Sequence, residues 1–426
     1  MSGSEGAKYT QMNPSQDQAQ KQEQNQTQGQ VKNQTRNQAQ NQVQNQTQNQ
    51  IQNQPLNQPG IRTGQRDVSL DVIRIAAFVL VPSVHFFLQS EYYDTPICGT
   101  RMCLMTVVLS FCMTCVPLFL LLTGFLESQR RIALTRDSLL RFYSKLIGIF
   151  CVYLIATALI VLFRCTYLGE QLGGRGILDA ALGFRHYSWY VEMYLGLALL
   201  IPFLNVLWNG IREQTAHRAL LVILCFLTML PGILDIIGLD FTPGWWKEMY
   251  PLTYYFIGAY LQRYDHAGQT KACSAQRGNS VRILLMLLGC VLLISAYSIR
   301  RSDRMVLASG DWNGWGGLMY TAETVLLFRL LRSLDYSWIG ERGRKALQRL
   351  ASLTFAAYLL SWIPDHISYP RLIQSVSPME LRFSWFLPVV LISIVTSLLL
   401  AAVVVPVADQ CSRILRHWLG KVLHVD

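Results

Sequence analysis

Apolar stretches about twenty residues long recur from residue 68 to residue 409, and this succession limits the fold more than any other feature. In lipid, backbone N–H and C=O groups must be satisfied within the protein, so an apolar segment of this length is a helix. The pattern predicts an all-α polytopic membrane helical bundle of about ten transmembrane helices. They fall at residues 68–89, 103–126, 142–163, 187–208, 218–238, 247–262, 281–299, 314–333, 350–368 and 384–409. Pro231-Gly232 bends or ends the fifth, because proline breaks the backbone ladder. The Trp245-Trp246 pair suits an interfacial anchor beside the short sixth.

Three regions follow. Residues 1–66 repeat Gln-Asn and Gln-Thr steps with almost no apolar residues, which reads as a disordered cytoplasmic tail. Residues 67–412 hold the transmembrane domain, and residues 413–426 read as a short cytoplasmic C-terminal tail. The net charge of +11 does not indicate nucleic acid, because the basic residues cluster in short loops between apolar spans. With the N-terminus inside, seventeen Lys and Arg fall in internal loops and ten in external ones. The bias predicts a multi-pass cell-membrane protein with both termini cytoplasmic. The Arg300-Arg301-Arg304 cluster runs against it.

The ten cysteines show no disulfide framework. Cys112 and Cys115 form a CxxC, but within an apolar helix, where small packing residues are expected. Cys98, Cys103 and Cys165 fall where they can face the outside, and their pairing stays open. No zinc-type spacing, HExxH or Gly-rich nucleotide loop occurs, so no metal is expected.

Ionisable residues inside a span are costly and therefore functional candidates. Arg74 and His85 stand eleven positions apart in the first span. At about 100° per residue this returns them to one stripe, about 16 Å apart along the axis. One helix face thus carries a fixed cation and an imidazole at two depths, an arrangement suited to holding an anionic substrate and moving a proton. The bland alternatives are snorkelling or pairing with Asp71 for Arg74, and a helix–helix hydrogen bond for His85. Glu192 in the fourth span, Glu323 in the eighth, Asp365-His366 near the end of the ninth and Arg185-His186 at a loop are further candidates.

These residues carry a resemblance. Leu70-Asp71-Val72-Ile73-Arg74 followed by His85 resembles the Arg-x10-His signature that opens the acyltransferase 3 family of integral membrane acyltransferases. Val116–Leu126, with Thr123-Gly124 in place of the usual Ser-Gly, is similar to that family's second block. Trp189-Tyr190 through Pro202 resembles its third. Leu353–Ser361 resembles a fourth, with Ser361 where the family usually has a second His. The resemblance covers about residues 67–410 and implies acyl transfer. The implied donor is acyl-CoA, usually acetyl-CoA, and the implied acceptor a hydroxyl of an envelope glycan or lipid-linked sugar.

Under that resemblance His85 is the general base for the acceptor hydroxyl, since neutral imidazole suits the task near pH 7. An acyl-imidazole is the other route. Arg74 positions the donor, with Asp71 orienting it. Three readings are open for Glu192, which orients His85, binds acceptor hydroxyls or pairs with another helix, and two for Trp189 and Tyr190, which stack on a sugar or form part of an interfacial belt. Thr123-Gly124 lets a backbone or ligand approach closely or serves plain helix packing, and Arg130, Arg131 and Arg136 help hold CoA phosphates or simply follow the positive-inside bias. The rival functions are an ion-coupled transporter or glycan exporter, and a membrane scaffold that recruits partners through its Gln/Asn tail.

Overall fold

The structure, a computed structural model, describes residues 66–177, 189–239, 243–265 and 273–423. The Gln/Asn-rich tail and the Arg185-His186 pair lie outside the described residues, apart from Arg66. From Asp67 onward the chain forms one unit. Among the described residues it is helical throughout, with no strand.

Sixteen α-helices follow in order among the described residues. They are α1 (Val68–Gln89), α2 (Gly99–Cys112), α3 (Cys115–Glu127), α4 (Arg136–Tyr143) and α5 (Leu146–Thr166). Next come α6 (Trp189–Gly210), α7 (Gln214–Thr228), α8 (Leu230–Ile236), α9 (Gly244–Lys247) and α10 (Tyr250–Tyr264). The last are α11 (Cys273–Ser302), α12 (Leu318–Ser333), α13 (Glu341–Leu360), α14 (Trp362–Ser375), α15 (Met379–Arg382) and α16 (Phe386–Leu423).

The expected count of ten spans is not reproduced. Among the described residues six helical stretches are long and apolar enough to cross a membrane, or seven if α7 and α8 form one broken span. The difference lies in the helices that correspond to the sixth, eighth and ninth expected spans. α10 has 15 residues and α12 has 16, while α13 spends its first turns on Glu341, Arg342, Arg344 and Lys345. A helix packed on all sides by protein needs no long lipid-facing run, and α10 buries nine of its residues. The bend expected at Pro231-Gly232 is there, at 40° between α7 and α8.

Local chemistry explains where α1 starts. Asp67 caps it, its carboxylate accepting from the Ser69 N–H at 2.9 Å. Arg332 of α12 pairs with the same carboxylate and tethers this end of α1 to a distant helix. α3 and α10 cross through two glycines. A Cβ on Gly124 would stand 2.0 Å from the Tyr255 carbonyl oxygen, and one on Gly258 would stand 2.1 Å from that of Leu121. Neither position has room for a methyl group, so these backbones touch in the manner of small-residue membrane interfaces.

The main core joins α1, α3, α6, α10 and α13 through residues such as Phe78, Leu118, Leu121, Tyr254 and Tyr255. A second buried cluster lies beyond His85 and holds Phe86, Phe87, Tyr92, Tyr369, Val389 and Val390. α5, α11 and α16 turn Leu162, Leu285, Leu399 and Val403 outward, an apolar exterior suited to lipid. Cys112 and Cys115 are buried free thiols, and Cys98, Cys103 and Cys165 are free as well.

Candidate active site

α1, α3, α6 and α13 enclose a cavity of about 390 Å³. Arg74 and His85 both line it. The stripe geometry of α1 has a simple consequence here: one face of one helix lies along the chamber, and the two side chains meet it at different depths.

His85 is held from behind. Its Nδ1 lies 2.9 Å from Oδ2 of Asp365 on α14. The other oxygen, Oδ1, accepts from the Ser393 hydroxyl of α16 at 2.8 Å. The Asp365 N–H donates to the Ser361 carbonyl at 3.2 Å. Asp365 and Ser393 are wholly buried, while the His85 side chain keeps 12% of its surface exposed. A buried carboxylate costs several kcal/mol unless paired, and this one is paired on both oxygens. Asp365 is among the further candidates read from the sequence, and Ser393 is not. A serine in an apolar span carries no signal of its own. An Asp four residues beyond Ser361, the position where the resemblance expects a second His, is the clue that was present.

At the other depth Arg74 keeps an ion pair with Asp71 at 3.6 Å, one helical turn earlier. Asp71 is buried and does not line the cavity, so it stands behind Arg74. Glu127 and Tyr194 share the cavity wall with Arg74. Glu127 pairs with Arg130 at 3.1 Å, which brings Arg130 to the cavity edge through its partner. Arg131 is exposed in the loop after α3.

The remaining wall is apolar and aromatic. Trp189 and Tyr190 line it as expected positions on α6, together with Phe119, Trp315 and Tyr358. Trp189 stacks on Trp315 at 4.5 Å between centroids, and Tyr190 meets Tyr358 edge-on at 5.7 Å. Thr123 lines the cavity too, its hydroxyl donating to the Phe119 carbonyl at 2.8 Å. Glu192 does not: it is exposed, and it is absent from the wall. Helical geometry gives the reason, since two steps from Tyr190 turn about 200° and put Glu192 on the opposite face of α6. The partner of His85 is Asp365; orienting His85 was one of the readings open for Glu192, which does not reach the cavity.

The family model Acyl_transf_3, described as an acyltransferase domain, matches residues 67–402. That range covers every helix around the cavity. This chain belongs to the acyltransferase 3 family. It is therefore a membrane acyltransferase, and the resemblance of the four sequence blocks agrees with the match. No curated protein and no solved structure matches the chain. Within this acyltransferase 3 protein the Arg-x10-His pair, the Thr-Gly block, the Trp-Tyr block and the Thr-Phe block each contribute to one chamber.

Proposed function

We propose that this acyltransferase moves an acyl group, acetyl first among candidates, from acyl-CoA to a hydroxyl of an envelope glycan or glycolipid. The observation that carries the reading is the shared chamber: Arg74 and His85 line one cavity, and His85 is backed by a buried carboxylate.

The chemistry follows from the pairing. With its Nδ1 proton directed at Asp365, His85 carries its lone pair on Nε2. The acceptor oxygen attacks the thioester carbonyl carbon while its proton passes to Nε2. The tetrahedral intermediate collapses, the carbon–sulfur bond breaks, and the thiolate of CoA takes that proton back from the imidazolium. Asp365 stabilises the imidazolium while it exists, and a general base placed this way contributes about 10²–10⁴-fold.

Charge divides the donor. The ionisable groups of the wall include Arg74, Glu127 and His85. One cation facing one carboxylate does not neutralise the pyrophosphate and ribose phosphate of CoA. Those groups stay outside, near Arg130 and Arg131, and the uncharged pantetheine arm enters. Arg74 then donates to an amide carbonyl of the arm, or to the phosphate at its mouth. Extended, the arm is comparable to the rise of about 16 Å between Arg74 and His85. Under the positive-inside orientation the donor comes from the cytoplasm and the acceptor meets His85 from the outer side. The stacked Trp189 and Trp315 give a flat surface for a sugar ring.

Mass spectrometry of envelope glycans and glycolipids, with and without the protein, tests the reading. The expected result is a lost acyl mass on a defined hydroxyl. Identical spectra in the two strains, with the protein expressed in the first, contradict it.

A further inference from the structure

Arg382 is an arginine buried to 3% exposure outside the cavity, and its guanidinium is heavily engaged. Its Nη1 donates to the Ser90 carbonyl at 2.8 Å and to the Glu91 carboxylate at 2.7 Å. Its Nε donates to the Val376 carbonyl at 2.7 Å and its Nη2 to the Ser377 carbonyl at 2.9 Å. These acceptors belong to two separate places in the chain. Ser90 caps the end of α1, five residues after His85. Val376 caps the end of α14, eleven residues after Asp365. Four residues beyond Arg382 begins α16, which carries Ser393.

We propose that Arg382 is a positioning residue that holds the His85–Asp365–Ser393 array in register by tying the ends of α1 and α14 together beside the start of α16. The inference rests on the proposed roles of His85 and Asp365. The second cluster between these helices is built of Phe86, Phe87, Tyr369, Val389 and Val390, whose dispersion contacts are less directional than hydrogen bonds. A forked guanidinium with four directed donors does not slide. The His85–Asp365 contact is a single 2.9 Å hydrogen bond between two helices, and a displacement of about 1 Å would break its geometry. Glu91 sits at φ +65°, a left-handed conformation a non-glycine residue adopts at a cost. That turn brings its carboxylate to Arg382.

The test uses the full-length protein in membrane vesicles from expressing cells, which carry the acceptor, with acetyl-CoA as donor and thiol release as readout. Rates are set against vesicles from cells without the protein and normalised to the folded fraction, taken from the monodisperse peak in detergent. Arg382→Ala is expected to lower kcat per folded molecule about tenfold or more while KM for acetyl-CoA stays within about twofold. Arg382→Lys, which keeps a cation opposite Glu91 but only one donor point, is expected in between. If Arg382→Ala does not fold, Arg382→Lys carries the same comparison with a kcat below wild type. Wild-type kcat per folded molecule in the variants, with His85→Ala and Asp365→Asn inactive, overturns this inference and leaves the proposed function standing. An active His85→Ala overturns both.

Discussion

Nδ1 of His85 on α1 and Oδ2 of Asp365 on α14 lie 2.9 Å apart, although 280 residues separate them. The contact joins a residue on the cavity wall to a wholly buried carboxylate whose second oxygen is taken by Ser393. It holds the imidazole by a hydrogen bond to a buried carboxyl group. Each prediction below follows from that arrangement or from the packing that holds it.

Asp365→Asn keeps the size of the side chain and removes the charge. The amide can present its N–H to Nδ1, which moves the ring proton to Nε2 and removes the base. Acyl-transfer kcat should fall about 10²–10⁴-fold with little change in KM for the donor. Steady-state kinetics on the purified variant check this, and a loss confined to KM would argue against an orienting role.

Under the proposed function Arg74 acts on the donor, so its loss should appear in donor affinity. Arg74→Ala is expected to raise KM for acetyl-CoA about tenfold or more, with a smaller change in kcat. Arg74→Lys should recover only part of it, because an ammonium lacks the planar fork. An unchanged KM in Arg74→Ala would remove this residue from the donor site.

Glu192 stands on the outer face of α6 and does not line the cavity. Glu192→Gln should therefore leave kcat/KM within about twofold of wild type, as for a surface change away from the site. A large loss would mean that α6 turns this face toward a substrate.

Gly258→Ala places a methyl group 2.1 Å from the Leu121 carbonyl oxygen, where backbone must move. Overpacking of this kind costs about 1–3 kcal/mol or more. The variant should show a lower unfolding temperature in detergent, and Gly124→Ala the same, since the two glycines face each other's helix. Equal stability would place the α3–α10 crossing wider than described.

Much of this fold was legible in the chain. The run of apolar segments is a direct statement about the solvent, and it predicted helices and nothing else. Its count of ten spans is not confirmed among the described residues, because hydropathy counts apolar residues without knowing what they face. α10 is apolar and short because Tyr254, Tyr255 and Gly258 pack against protein. At the site, the eleven-residue interval between Arg74 and His85 was readable because it lies within one helix, where periodicity decides the face. Asp365 and Ser393 reach His85 from two other helices, and no local rule pairs a carboxylate with an imidazole 280 positions away. Glu192 shows the same limit from the other side. As an acid inside a span it is a candidate on sequence alone, and the helical phase set by Tyr190 and Tyr194 turns it outward.

The most direct test is the turnover of purified His85→Ala protein with acetyl-CoA and membrane-extracted acceptor. The variant should run as a folded, monodisperse species and transfer acyl groups at least about 10²-fold more slowly than wild type. Wild-type turnover by the folded variant would contradict general-base catalysis at this residue and, with it, the assignment of the cavity as the active site.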